Sequence, residues 1–271
     1  MIDFSKVKLI VSDMDGTLLN SKGQVSPQFF QLFKKLQKHN IHFVAASGRQ
    51  YNSIVSKLSS IQNNIFVIAE NGAIAKKNDT ILLENAIPAK KVIDIIPTLR
   101  KIQDTNIILC AHDAAFIESK NEKFISLFQE YYHNFHIVDD LIETAKTTTI
   151  LKIANHHFKS SEEFIYPSIK HLKTPILLKI SGQNWLDISD QKANKGNALR
   201  EVQQILKITK EETMVFGDYH NDLEMLHEAN FSFAMKNAHK DILKVANYST
   251  ESNDNFGVER VLEKLIEAKR N

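Results

Sequence analysis

Val7-Lys8-Leu9-Ile10-Val11-Ser12-Asp13-Met14-Asp15-Gly16-Thr17-Leu18-Leu19 is the stretch on which the fold turns. Its apolar, β-branched opening is the pattern of a short buried strand, and the run stops in a loop at Gly16. Asp13 and Asp15 therefore stand at a strand's carboxyl end, two acids separated by one residue. Where the chain leaves the strand and turns at the glycine such neighbours can point differently, so one carboxylate can attack while the other reaches a leaving oxygen. Gly16 permits a tight turn and close approach by a ligand. The plainer alternative for this stretch alone is an Asx-type turn that closes a strand.

Outward from this strand the same alternation repeats. Ser26-Pro27 reads as an N-cap and first helical position, and Phe29, Phe30, Leu32, Phe33 and Leu36 follow at helical spacing. A second strand, 41–46, closes on Ser47-Gly48-Arg49. After a helix over 51–60, a third strand, 65–69, closes on Glu70-Asn71-Gly72. Strand and helix in alternation predict a parallel sheet covered by helices, with ligands gathering beyond the strands' carboxyl ends.

The middle of the chain reads as a second α+β unit, with short apolar runs at 107–111, 150–154 and 176–180 between helical patterns at 90–100 and 161–172. Turn-rich stretches at 83–88 and 181–184 bound it. The expected division is 1–83 for the first part of a core, 84–184 for an inserted domain and 185–271 for the rest of the core. In that last part a helix over 195–206 leads to a strand at 213–216, which ends in Gly217-Asp218-Tyr219-His220-Asn221-Asp222.

Composition excludes several classes. With 271 residues, 43% hydrophobic and 24% charged, the chain is long enough for a core plus an insertion and is of ordinary globular make-up. A net charge of +2, without a basic block, gives no nucleic-acid arm or polybasic membrane segment. No apolar run approaches the roughly 18 residues of a membrane span, and no signal peptide is evident. The single cysteine, Cys110, sits in an apolar run and reads as packing, which fits a reducing compartment; the expected location is the cytoplasm.

Acids converging on one sheet edge need neutralising. Two unit charges about 4 Å apart repel by roughly 4 kcal/mol at an effective dielectric near 20. A hard divalent cation with oxygen ligands, Mg²⁺ foremost, resolves the conflict and binds phosphate as well. Lys195-Gly196 opens a helix, and its ammonium either faces water or reaches this edge.

The four elements occur in a telling order: Asp-x-Asp-Gly-Thr, Ser-Gly-Arg, Lys-Gly, then Gly-Asp-x-x-Asn-Asp. The chain here resembles the haloacid dehalogenase superfamily, in its Cof-like branch with the type IIB cap. The resemblance extends through Asn71-Gly72-Ala73 and Asn255-Phe256-Gly257-Val258. It implies a Rossmann-like core with a parallel sheet, an inserted α+β cap, and a Mg²⁺-dependent phosphatase of small phosphorylated metabolites such as sugar phosphates.

By the same resemblance Asp13 is the nucleophile and Asp15 the general acid, which must be protonated as the leaving group departs, a state favoured by burial among other carboxylates. Met14 offers its amide to phosphate and Thr17 orients Asp15. Ser47, Gly48, Lys195 and Asn221 hold phosphate. Asp13, the Asp15 carbonyl and Asp218 hold Mg²⁺, with Asp222 in support. The expected partner is a small phosphate ester; the oligomeric state is left open. Two other readings stay open on the same fold: a phosphosugar mutase and a non-catalytic metabolite sensor.

In the inserted unit, His112, Asp113, Lys152, His156 and His157 read as surface or strand-end polar groups. The two adjacent histidines lack a third ligand at zinc-site spacing. Trp185 reads as packing at the domain junction.

Overall fold

In the computed structural model, which describes residues 3–129, 131–132, 134–172 and 176–270, the chain forms two sheets. The strands, in chain order, are β1 Leu9–Asp13, β2 His42–Ala46, β3 Phe66–Ala69, β4 Ile74–Lys77 and β5 Thr80–Glu84. Then come β6 Thr105–Cys110, β7 Ala115–Ile117, β8 Phe135–Ile137, β9 Lys152–His157, β10 Ile176–Ile180 and β11 Trp185–Asp190. The last three are β12 Thr213–Gly217, β13 Phe231–Ala234 and β14 Tyr248–Ser249.

Among the described residues the larger sheet runs β14-β13-β12-β1-β2-β3-β4-β5 and the smaller β10-β11-β9-β6-β7-β8. From β14 to β3 every pairing is parallel, whereas β4 and β5 are antiparallel additions. This is the expected α/β core with an inserted α+β cap. β1 lies near the centre, and all five of its residues are buried. The carboxyl ends of β1, β2, β3 and β12 thus share one edge, which carries Asp13, Ser47, Glu70 and Asp218.

Local sequence explains the helices that flank this edge. Ser26 caps the helix Pro27–Lys38 by accepting from the Phe29 N–H at 3.0 Å, and Phe29, Leu32, Phe33 and Leu36 face the core. Asn194 caps the helix Lys195–Leu206 through the Asn197 N–H at 2.8 Å. That cap fixes Lys195 in the first helical turn, against Gly72. Gly72 has φ +92°, and a Cβ there would overlap the Asn194 backbone, so the turn after β3 and the start of this helix fit only with glycine.

Two expectations change. The strand β11, Trp185–Asp190, pairs with β9 and β10, so chain from 185 to 190 belongs to the cap sheet, not to the core as the boundary at 184 had it. Ladder pairing, invisible in local pattern, decides it. The helix expected over 161–172 is two single turns, Ser161–Phe164 and Tyr166–Ile169. Pro167 removes the N–H that a continuous helix needs and crowds the preceding turn. Among the described residues no helix is long and apolar enough to cross a membrane.

Candidate active site

The Lys195 side chain is fully buried, and its Nζ bridges two carboxylates, Asp13 Oδ1 and, at 2.7 Å, Asp222 Oδ1. Burial alone would lower the ammonium's pKa; Asp13 and Asp222 outweigh it and hold the pKa above the ordinary lysine value. The solvated reading of Lys195 is therefore excluded. Asp222 is pinned from the other side, as its Oδ2 accepts from the N–H groups of Asp218 and Tyr219 at 2.9 and 3.2 Å.

One ammonium faces three acids. Asp13, Asp218 and Asp222 place ligand oxygens within 4.8 Å of one another. Burial, then the Asp222 charge, pushes the Asp13 carboxyl well above its ordinary pKa, and the same two causes push Asp218 up to about 7. Gly16, at φ +76°, lets the chain pass against Asp218; a Cβ there would overlap the carboxylate.

This donor set fits a divalent cation. It is a surplus of hard carboxylate oxygens, with no nitrogen or sulfur ligand among the three, which favours the Mg²⁺ and Ca²⁺ class over zinc. Among the described residues one other trio, His220, His239 and Asp241, brings donors as close, but it is more exposed and Asp241 already pairs with His220 and Lys244 at 3.2 Å each.

The remaining expected residues fall around this cluster, some with different partners. The Thr17 hydroxyl donates to Asp218 Oδ1 at 3.0 Å rather than orienting Asp15. Asp15 is half-exposed and takes both oxygens to Arg49, Nε at 2.7 Å and Nη2 at 2.6 Å. Its neighbour is thus a guanidinium, not the company of buried carboxylates the sequence implied. The Met14 side chain is buried in the core. Ser47 Oγ accepts from the Arg49 N–H at 3.1 Å, and Asn221 Nδ2 donates to Asn71 Oδ1 at 3.1 Å. All of these except Met14 and Thr17 meet at the edge where a cavity of about 460 Å³ opens between core and cap.

The cap side of that cavity was not foreseen. Lys152 is buried, donating to Gly48 O at 2.9 Å and pairing with Glu70 Oε2 at 2.7 Å, so it ties cap to core instead of facing water. Burial would lower its pKa, but Asp187 and Glu70 hold it above the ordinary value. Glu70 reaches this pair from a left-handed turn, φ 50°, directly after β3. Asn71 Nδ2 adds a bond to Asp187 Oδ2 at 3.0 Å. Tyr131, Tyr132 and Trp185 complete the cap wall.

The comparisons agree with this architecture. A protein 29% identical over 264 residues, covering 96% of each chain, is the 5-amino-6-(5-phospho-D-ribitylamino)uracil phosphatase YbjI of Escherichia coli. The crystal structure of SMU.1108c from Streptococcus mutans superposes with a TM-score of 0.88 at 28% identity, covering 96% of this chain and 99% of that one. The fold is also that of the subclass IIB sugar phosphatase BT4131, with a TM-score of 0.81 at 23% identity over 95% and 98% of the two chains. The family model for haloacid dehalogenase-like hydrolases matches residues 10–262, so the chain belongs to that family of enzymes.

Proposed function

We propose that the protein is a Mg²⁺-dependent phosphatase of small phosphomonoesters in which Asp13 takes the phosphoryl group covalently. A phosphatase acting on small phosphorylated substrates is what the family and the named relatives support. The observation that carries the finer reading is the buried chain Asp13–Lys195–Asp222 beside Asp218, at the floor of the cavity.

In this reading an Asp13 oxygen attacks phosphorus as the ester P–O bond breaks, and the departing oxygen takes its proton from Asp15. The Asp15 carboxylate then takes a proton from water, whose oxygen attacks the same phosphorus and breaks its bond to Asp13. Asp15 must first leave Arg49, since both its oxygens are engaged there. Lys195 holds Asp13 in place and offsets charge throughout, while Ser47, the Gly48 N–H and Asn221 orient the phosphate. Asp13, Asp218 and the Asp15 carbonyl would hold Mg²⁺, which supplies positive charge to the transferring group. The lone buried Cys110 fits a cytoplasmic setting for this chemistry.

The direct test is phosphate release from a panel of esters with Mg²⁺ and with EDTA. The reading expects metal-dependent release; no release from any ester would overturn it. The E. coli relative's substrate, a ribityl phosphate carrying a uracil, belongs in that panel.

Metal binding has its own readout. Because the Asp13 and Asp218 pKa values are raised in the folded state, their neutral forms stabilise the metal-free protein at low pH. That contribution is lost as pH rises from near 4 through about 7. Mg²⁺ competes with those protons, so it should raise Tm more at pH 8 than at pH 5.5. At a hundred-fold excess over Kd the gain is about 2.7 kcal/mol, a rise of roughly 5 °C. Equal shifts at both pH values would contradict the assignment of these ligands.

Gly16→Ala tests the packing of the same loop. The added methyl must displace the Asp218 carboxylate from a backbone already at positive φ. A displacement of about 1 Å at a catalytic centre can cost on the order of 100-fold in rate. We expect at least that loss in kcat/KM, with a weaker response of Tm to Mg²⁺; wild-type kinetics would refute the close packing.

A further inference from the structure

We infer that the leaving group of the substrate carries a planar, π-rich ring seated against Trp185 and Tyr131, an inference that rests on the phosphatase reading above. It starts from the groups with which the cap lines the cavity.

Most of the polar groups there are already committed. Lys152 is held by Glu70 and the Gly48 carbonyl, and Asp187 accepts from Asn71. The Tyr132 hydroxyl is engaged with Cys110 Sγ at 3.2 Å. The cap also presents an aromatic wall with a polar rim. Trp185 and Tyr131 are half-buried, with ring centroids 5.5 Å apart and planes inclined at 60°. Ser181 and Gln183, in the turn that joins β10 to β11, line the mouth beside them.

The Trp185 ring is not mobile filler. It stands edge-on to the His156 imidazole, 4.8 Å away, and His156 lies opposite Trp185 in the ladder between β9 and β11. Burial lowers the His156 pKa to about 4, so a neutral ring backs the indole. Tyr131 is steadied by the Arg49 guanidinium, 5.0 Å from its centroid.

A polyhydroxylated leaving group would lose water from each hydroxyl on entering, and committed partners cannot replace those bonds. A flat ring asks for less. It exchanges water for aromatic faces, and its few edge groups meet the Ser181 hydroxyl and the Gln183 side-chain oxygen, the Gln183 Nε2 already donating to Lys159 O at 3.5 Å. A volume of about 460 Å³ lies in the ordinary range for enclosing such a ligand. The specificity-determining residues of this enzyme are therefore Trp185 and Tyr131.

The test compares kcat/KM of the full-length, Mg²⁺-loaded enzyme for uridine 5′-phosphate and riboflavin 5′-phosphate with that for glucose 6-phosphate and glycerol 3-phosphate. Ring-bearing esters should lead by about ten-fold or more. Trp185→Leu should reduce that lead at least about five-fold, mainly through KM, while Trp185→Phe retains most of it. Equal or better use of the polyol esters by wild type would overturn the inference, as would an unchanged ratio in a Trp185→Leu protein of normal melting behaviour.

Trp185 is the sole tryptophan, so its emission reports binding without turnover. In Asp13→Asn protein, uridine 5′-phosphate should quench it saturably and glucose 6-phosphate should not. If no ester is hydrolysed, the phosphatase reading fails, and this titration still decides the ring: quenching upholds it, and none at saturating ligand overturns it.

Discussion

Asp13→Asn is expected to lower kcat by about 10⁴-fold or more while leaving the fold intact. Asparagine preserves the shape of the side chain and its acceptor toward Lys195, but it has no carboxylate to attack phosphorus. Removing a nucleophile from a catalytic unit has cost on the order of 10⁶-fold in hydrolases that work covalently. Stability should move the other way. The substitution takes one charge from a buried cluster in which Asp222 and Asp218 already disfavour ionised Asp13. The metal-free variant should therefore melt no lower than wild type at neutral pH. Steady-state kinetics beside thermal melts read both effects, and activity within ten-fold of wild type would remove Asp13 from its role.

The second large effect is predicted for Lys195→Met. Methionine fills a similar volume but leaves Asp13 and Asp222 buried without their shared cation. Breaking a buried pair by removing one partner costs about 3–5 kcal/mol, because the remaining charge is uncompensated. For a chain of this size that is a fall in Tm of roughly 10 °C. The sign of its pH dependence follows from the raised Asp13 and Asp218 values: below about pH 6 these acids neutralise, and the deficit shrinks. Phosphatase activity should be lost at every pH. A variant as stable as wild type at pH 8 would contradict the electrostatic account of the cluster.

Residues whose surroundings are set by their own strand were readable in advance. Asp13, Ser47 and Asp218 each follow an apolar run, and parallel pairing brings such ends together whatever the loops do. Lys195 was readable only through the family resemblance, since its own residues left water and the sheet edge both open; the close fit of Gly72 against Asn194 that sets its position is tertiary. Settings made by distant chain were not. Lys152 looks solvated until Glu70 arrives from a left-handed turn in the core. Thr17 carries a hydroxyl whose partner depends on how closely Gly16 lets Asp218 approach, and Asp218 takes it from Asp15. Arg49 stood in a recognised triplet, but its bidentate grip on Asp15 depends on side-chain reach across a loop.

The cap was less legible than the core for the same reason. Its sheet is joined largely by antiparallel ladders between distant segments, and β11 owes its place to those partners rather than to its own pattern. That pairing turns Trp185 from a junction residue into part of the cavity wall. The hairpin β4–β5, with Asn78-Asp79 at its tip, was missed although β5 carries Ile81-Leu82-Leu83, a run that the fold leaves only partly covered at the sheet edge.

The central claim is a covalent step on Asp13, and rapid acid quench of the enzyme with ³²P-labelled ester during turnover tests it most directly. The account predicts label on protein, mapped to the peptide that contains Asp13 and absent from Asp13→Asn. Full phosphate release with no labelled protein under conditions that preserve acyl phosphates, or label on another residue, would contradict it.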